Sequence, residues 1–468
     1  MKTWKKPDLT SEVAGIRSPN PFWLASGPPT NSAYQVRRAF EAGWGGAVWK
    51  TLGEPIVNVA SRYGAIDYDG RKIAGLNNIE LITDRPLEEN LAEIRQIKRE
   101  FPHHAVVVSL MVESSREAWH DIVKHTQDTG CDGLELNFGC PHGMSERGMG
   151  SAVGQVPEYT ERITNWVMEA AEIPVLVKLT PNVTDVRYIG RAARNGGADG
   201  LSLINTINSI VGVDLDTLAP RPQVDGRGSH GGYCGPAVKP IALNMVQQVA
   251  SDPEIQLPVS GIGGVQAWQD AVEFLLLGAG NVQVCTAAMH YGFRIVETLI
   301  SGLEGWMSDK GFLSLQEVVG RSVQTVGDWA DLDLSYKVVA EIDQGECIHC
   351  GLCYIACEDG AHQSITWREV PEAEFVGGNG TSPEGARPQV SVSGGHQVVV
   401  GSGAGHVNIY EINQETCVGC NLCSLVCPVQ GCISMVERDS GLPSMSWREY
   451  QEKLAKGEVE KIEPPAHV

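Results

Sequence analysis

Eight of the thirteen cysteines in this 468-residue chain fall in two runs that share one spacing, C-x-x-C-x-x-C-x-x-x-C. The first run holds Cys347, Cys350, Cys353 and Cys357, the second Cys417, Cys420, Cys423 and Cys427. Thiolates so spaced are the ligand pattern of bacterial-type [4Fe-4S] clusters, in which three cysteines of a run bind one cluster and the fourth binds the other. The spacing predicts one cluster on Cys347, Cys350, Cys353 and Cys427 and a second on Cys417, Cys420, Cys423 and Cys357. Zinc is the rival, but zinc modules typically separate two C-x-x-C pairs by a longer spacer. The first run ends in Cys357-Glu358 where the second ends in Cys427-Pro428, a departure that leaves the ligands intact. Cys432 lies outside both sets and is read as packing.

A second centre of chemistry is residues 134–155, L-E-L-N-F-G-C-P-H-G-M-S-E-R-G-M-G-S-A-V-G-Q. Leu134 to Phe138 is short, apolar and bounded by glycines, which reads as a buried strand ending in a loop. Asn137 closes the strand and Cys140 opens the loop. An amide and a thiol three positions apart suit a site that holds a polar planar ligand and exchanges one proton with it. A thiol with an ordinary pKa of about 8.5 is mostly protonated at neutral pH, as a proton donor must be. A lone cysteine is more often a core residue. Here Gly139, Pro141, Gly143, Gly148, Gly150 and Gly154 make a long loop instead of a tight turn, and such loops are often functional lids.

These residues need a scaffold to hold them. After Pro21 the chain alternates short apolar segments with amphipathic ones, the pattern of strand and helix units around a parallel sheet. Eight strands are expected: Phe22 to Ala25, Gly46 to Thr51, Ala105 to Met111, Leu134 to Phe138, Val175 to Leu179, Gly200 to Ile204, Val259 to Ile262 and Val282 to Cys285. The clearest helices are Asp185 to Asn195, ended by Gly196-Gly197, and Gln266 to Leu277, ended by Gly278. Eight α/β units predict a closed (β/α)8 TIM barrel. An open doubly wound sheet would carry a glycine-rich phosphate turn after its first strand, and Ser26-Gly27-Pro28-Pro29 is not that turn. In a barrel the active site lies at the carboxyl ends of the strands. Polar residues collect there: Lys50-Thr51, Asn137 with Cys140, Lys178 with Thr180, and Asn205-Thr206. Ser260-Gly261-Ile262-Gly263-Gly264 and Cys285-Thr286-Ala287 end the seventh and eighth strands, where such barrels frequently bind a phosphate. A buried lysine needs a counter-charge. Either Lys50 and Lys178 face a flavin that becomes anionic on reduction, or each pairs with a carboxylate at the barrel rim.

The chain is long enough for two or three domains and has an ordinary apolar fraction. Its net charge of -21 argues against nucleic acid and against anionic membrane surfaces, leaving a small molecule or a protein as partner. The charged start M-K-T-W-K-K-P-D-L-T-S-E is followed by no apolar signal segment, no uncharged run could span a bilayer, and the clustered thiols suit metal in a reducing compartment. A cytoplasmic protein is expected. The boundaries predicted are a barrel over residues 1–325 and a small α+β, bacterial-ferredoxin-like domain over 326–468. A Gly/Ser/Val-rich insertion interrupts the latter at about 371–405 and is read as a hairpin or loose loop. Within it, V-V-V-G-S-G-A-G at 398–405 imitates a dinucleotide turn, but the chain then runs straight into Cys417 with no room for the helix and second strand. No other nucleotide fingerprint appears, so a partner is expected to handle NAD(P)H.

The segment N-F-G-C-P-H-G-M-S-E-R-G-M-G, followed by K-L-T-P-N-V-T-D at 178–185 and G-G-A-D-G at 196–200, resembles the dihydropyrimidine dehydrogenases. The likeness is greatest to the bacterial subunit type that joins an FMN barrel to two iron-sulfur clusters. It extends over nearly the whole chain. The related dihydroorotate dehydrogenases share the barrel and a Cys or Ser in the loop, but lack the H-G-M-S-E-R-G-M-G continuation and the cysteine-rich tail. The resemblance implies reduction of uracil or thymine to the 5,6-dihydro form. Electrons would pass from NAD(P)H through an FAD-bearing partner subunit, in a hetero-oligomer such as a heterotetramer, and cross the clusters to FMN. It implies Cys140 as catalytic acid and base. Asn77, Asn137, Phe138, Gly139, Asn205 and Thr206 would be at the substrate. FMN would touch Ala25, Ser26, Lys50, Thr51, Lys178, Gly232, Gly263, Gly264, Cys285 and Thr286, with Cys234 packing near its phosphate. Two alternatives stand beside this: a dihydroorotate-type dehydrogenase, which needs a cation for the orotate carboxylate, and a ferredoxin-like carrier whose barrel is a docking scaffold.

Overall fold

A computed structural model describes residues 6–54, 56–66, 74–141, 148–371, 389–392, 396–399 and 406–461. The chain divides into two compact units, Met1–Val326 and Gly327–Val468. In the first, eight parallel strands close into a barrel: β1 (Phe22–Leu24), β2 (Gly46–Leu52), β3 (Ala105–Leu110), β4 (Gly133–Asn137), β5 (Val175–Lys178), β6 (Gly200–Leu203), β7 (Val259–Ile262) and β8 (Ala279–Val284). Neighbours in sequence are neighbours in the barrel, and β8 pairs with β1 through Val282↔Phe22. Each strand is followed by a packed helix, as a parallel sheet requires. Val186–Asn195 shows how sequence sets such a helix: the Asp185 carboxylate accepts from Arg187 N at its start, and Gly197 takes φ +97° just beyond its end.

Seven strands lie within one residue of the predicted bounds at each end. The eighth begins at Ala279, not Val282, and ends before Cys285, which instead precedes a six-residue helix, Thr286–Tyr291. Gly278, Gly280 and Asn281 read as loop residues, yet Asn281 is wholly buried.

The barrel's outward side chains, among them Leu24, Val106, Leu134, Val177, Leu201 and Val282, join the helices in one large apolar core. Inside, the amino-terminal end is filled by Trp23, Val48, Ala105, Val107 and Leu176, capped by Val13 and Ile16. The caps come from a short hairpin, Ser11–Val13 with Ile16–Ser18, that plugs this end. Gly133 makes room for the plug, since a Cβ there would stand 2.5 Å from Ile16 Cδ1. At the opposite end the excursions after β2 and β6 meet in a four-stranded antiparallel sheet of Ile207–Ser209, Gly231–Cys234, Leu76–Asn78 and Tyr63–Ala65.

In the second unit Lys337–Ile342 pairs with Ile433–Arg438 and Ile365–Pro371 with His406–Ile412, both antiparallel. Each cysteine run lies between two of these strands, and its third cysteine is the second residue of a short helix, Leu352–Tyr354 or Leu422–Val426. Past Cys357 the chain keeps coiling through Ile355–Asp359, whereas the other helix stops at Cys427, before Pro428. A proline lacks the N–H that a further turn needs and Glu358 does not. The insertion leaves and re-enters at a directly paired Pro371 and His406. Inside it the backbone of Gln389–Val392 pairs with His396–Val399; the glycine turn at 400–405 lies outside the described residues. Among the described residues no helix is long and apolar enough to cross a membrane.

Candidate active site and cluster cysteines

The carboxyl ends of the barrel strands open into a cavity of about 1180 Å³, its mouth included. Its wall gathers Ala25, Ser26, Lys50, Thr51, Asn137, Cys140, Lys178, Asn205, Thr206, Gly263, Gly264, Cys285 and Thr286, brought together from seven strand ends. Four other predicted residues do not reach the wall. The Phe138 ring is buried and meets Trp119 edge-on at 6.0 Å. Gly139 lies behind Asn205, where a Cβ would be 2.4 Å from the Asn205 Cβ. Gly232 is held in the sheet opposite Asn78. Asn77 turns its amide to Ser209 Oγ at 2.8 Å, and its neighbour Asn78 lines the cavity instead, because successive residues of a strand face opposite sides.

Asn137 is fixed on both sides of its amide. Its Nδ2 donates to Thr51 Oγ1 at 3.0 Å and its Oδ1 accepts from Asn205 Nδ2 at 2.8 Å. Cys140 is 8% exposed, with Ile82, Met111 and Met149 packed around it. Its carbonyl accepts from Ser151 N at 3.0 Å, which pins the returning chain. Residues 142–147 of the predicted lid lie outside the described residues.

Both lysines have carboxylate partners that sequence reading did not name. Lys178 Nζ donates to Glu135 Oε1 at 3.2 Å, deep inside the barrel and not at its rim. Lys50 pairs with Glu80, which also accepts from the Tyr63 hydroxyl. Gln283 is missed too: its Nε2 donates to Glu135 Oε2 and Ser260 Oγ. A count of inward positions on each strand could have flagged Glu135 and Gln283, but not their partners.

The wall suits a planar, phosphate-bearing ligand. Gly263 and Gly264 take φ +134° and +77° and line the cavity with backbone alone, and a Cβ on Gly264 would press on Gly235 O at 2.9 Å. Gln283 Oε1 is buried with no partner among the described residues. Burial pushes the Cys285 thiol up to about 12. Cys234 accepts from Thr286 Oγ1 at 3.3 Å and lines the same cavity.

In the second unit two smaller cavities sort the thiols. One is lined by Cys347, Cys350, Cys353 and Cys427, the other by Cys357, Cys417, Cys420 and Cys423. The fourth cysteine of each run thus stands with the first three of the other. Cys432 joins the wall of the first cavity, 2% exposed. Burial and the neighbouring thiols push Cys353 up to about 12.

Comparison with known proteins fits this architecture. Residues 8–307 match the dihydroorotate dehydrogenase family and residues 346–432 the 4Fe-4S dicluster domain. The chain belongs to the dihydroorotate dehydrogenase family, in its dihydropyrimidine dehydrogenase branch, with a 4Fe-4S dicluster domain attached. It is 43% identical over 364 residues to the NAD-dependent dihydropyrimidine dehydrogenase subunit PreA of Escherichia coli K12, covering 77% of this chain and 88% of that one. The chloroplastic dihydropyrimidine dehydrogenase (NADP(+)) of Arabidopsis thaliana is 39% identical over 353 residues, 73% of this chain and 83% of its own. The dihydroorotate dehydrogenase B (NAD(+)) catalytic subunit of Pyrococcus abyssi is 38% identical over 321 residues, 68% and 99%. The family implies a flavin in the barrel, and the residues at the wall fit one.

Proposed function

We propose that this chain is the substrate-reducing subunit of a dihydropyrimidine dehydrogenase, taking uracil or thymine to the 5,6-dihydro form. The observation that carries the reading is Cys140 on the cavity wall among three amides, Asn78, Asn137 and Asn205, with Thr206 beside them. An amide both donates and accepts, so three of them match the alternating C=O and N–H groups of a pyrimidine edge. Asn78, and not the Asn77 that the resemblance implied, would make this contact, since it is Asn78 that lines the cavity. A bound FMN supplies the two-electron chemistry, fed through two [4Fe-4S] clusters from an FAD- and NAD(P)H-binding partner subunit. Lys50, Lys178 and Thr51 would hold its ring, and Gly263, Gly264, Cys285 and Thr286 would take its phosphate. The Cys140 thiol gives its proton to C5 of the pyrimidine and is reprotonated from solvent before the next turnover. Clamped between Thr51 and Asn205, Asn137 keeps the substrate still while that proton moves. That the E. coli relative is named a subunit supports the partner.

A dihydroorotate-type activity fits less well. Among the described residues, the cavity wall offers two cations, Lys50 and Lys178, and each already faces a carboxylate. Orotate would need a third.

Anaerobically purified chain should release FMN on acid treatment and show flavin and iron-sulfur absorbance together. Excess dihydrouracil should bleach the flavin. Release of FAD, or bleaching by dihydroorotate alone, would overturn the reading.

A further inference from the structure

Barrels of this kind fill their interior with layers of branched apolar side chains. Here the layer beneath the cavity is polar. Glu135 on β4 is wholly buried, and its carboxylate accepts from three strands: Lys178 Nζ of β5 at 3.2 Å, Ser202 Oγ of β6 at 2.8 Å and Gln283 Nε2 of β8 at 3.1 Å. Ser260 of β7 steadies the same Gln283 amide at 2.9 Å. Well-packed apolar residues would often stabilise a core as well as a buried ion pair does. The layer therefore needs a reason other than stability.

Its geometry gives one. A carboxylate only accepts, so the Gln283 atom facing Glu135 must be the NH2 group, and Oε1 is turned the other way. Gln283 and Lys178 both line the cavity, and Gln283 Oε1 has no partner among the described residues. One buried charge thus fixes two groups of opposite hydrogen-bonding character, a cation and a bare acceptor, on a single wall. We propose that Glu135 is a positioning residue that presents Lys178 and Gln283 Oε1 as a matched donor and acceptor to the cofactor's pyrimidine-like edge, and that its charge sets how readily the bound flavin is reduced. This rests on the barrel holding a flavin, as proposed above. Glu135 does not touch the cofactor. It acts through its two partners and through the field of its charge.

The test is the midpoint potential of the flavin in the full chain. Glu135→Gln keeps the shape and two hydrogen-bonding atoms but removes the negative charge beside Lys178. Reduced, anionic flavin is then favoured, and the potential should rise by at least the equivalent of tenfold in the reduced-to-oxidised binding ratio, about 30 mV for a two-electron couple. Ser202→Ala acts in the opposite sense. It takes a hydrogen bond from the carboxylate, leaves its charge less shielded, and should lower the potential by a few-fold equivalent. Opposite signs are not what two merely structural lesions would produce. An unchanged potential in Glu135→Gln, or shifts of the same sign in both variants, would overturn the proposal. If Glu135→Gln retained no flavin, Ser202→Ala alone would decide, with an unchanged or raised potential counting against it. Parent protein that holds no flavin would instead sink the functional reading on which this one stands.

Discussion

In the barrel unit the chemistry rests on top of a structure that does not need it. An apolar core joins strands and helices, a hairpin plugs one end, and the polar layer and cavity occupy the other. In the second unit chemistry and core coincide. Among the described residues, its central buried cluster is Ala340, Cys353, Cys357, Ile365, Tyr410, Cys423, Cys432 and Ile433, and four of these are thiols. With thiols making half of that cluster, metal bound by them would contribute directly to folding energy. The difference teaches that one chain can treat a cofactor as a guest in one place and as a structural member in another.

Removing the metal should separate the two most sharply. Oxidative loss of both clusters should unfold residues beyond about 327, seen as new proteolytic cuts there, while flavin absorbance stays with the barrel. Joint loss of both signals would show the barrel to be as dependent on its guest as the smaller unit is.

Cys357→Ala should next remove the cluster held by Cys417, Cys420 and Cys423, because the fourth ligand crosses between runs. Paramagnetic resonance of the reduced protein, assigned by comparison with Cys347→Ala, reads which cluster is lost. Loss of the Cys347 cluster alone would refute the crossing.

Within the barrel, Cys140→Ala should lower turnover on the order of a hundredfold or more, the usual share of general acid catalysis, while leaving FMN content and uracil affinity intact. Flavin oxidation by uracil at the parent rate would return Cys140 to a packing role. Gly139→Ala is gentler: its Cβ would sit 2.5 Å from Asn205 Nδ2 and break the 2.8 Å bond to Asn137. One lost hydrogen bond corresponds to about a tenfold rise in KM for uracil with kcat less affected. Unaltered KM would mean that Asn205 does not hold the substrate.

Cys432→Ala is the mildest case and sharpens the contrast. It sits in a core made of ligands without being assigned as one, so both clusters should persist and stability should fall by about 1 kcal/mol. Thermal unfolding followed at the cluster absorbance measures this.

Much of this was legible from sequence because strand ends and cysteine spacings are local signals. The barrel strands show as apolar runs, and Lys50, Asn137, Cys140 and Lys178 stand where those runs stop. What was not legible depends on partners far along the chain. Glu135 and Gln283 lie 148 residues apart and meet only when the barrel closes. The choice of Asn78 over Asn77 rests on the register of a cap strand, Asn78 opposite Gly232, that no periodicity in three residues could fix. Asn281 hid the start of β8 because a buried amide in a strand looks, in sequence, like a turn residue.

The pairing of Pro371 with His406 has a consequence for how this chain tolerates change. Directly opposed antiparallel residues stand about 5 Å apart, close enough for a two-residue turn to join them. Everything between them is therefore topologically a detour, and doubling its length adds only about 0.6 kcal/mol of closure entropy. The chain can lengthen, shorten or accept a foreign sequence there while the strands on either side keep their register and the cysteines their places. Such a seam is where relatives are free to differ most in length, and where a reporter could be spliced in without disturbing the wiring.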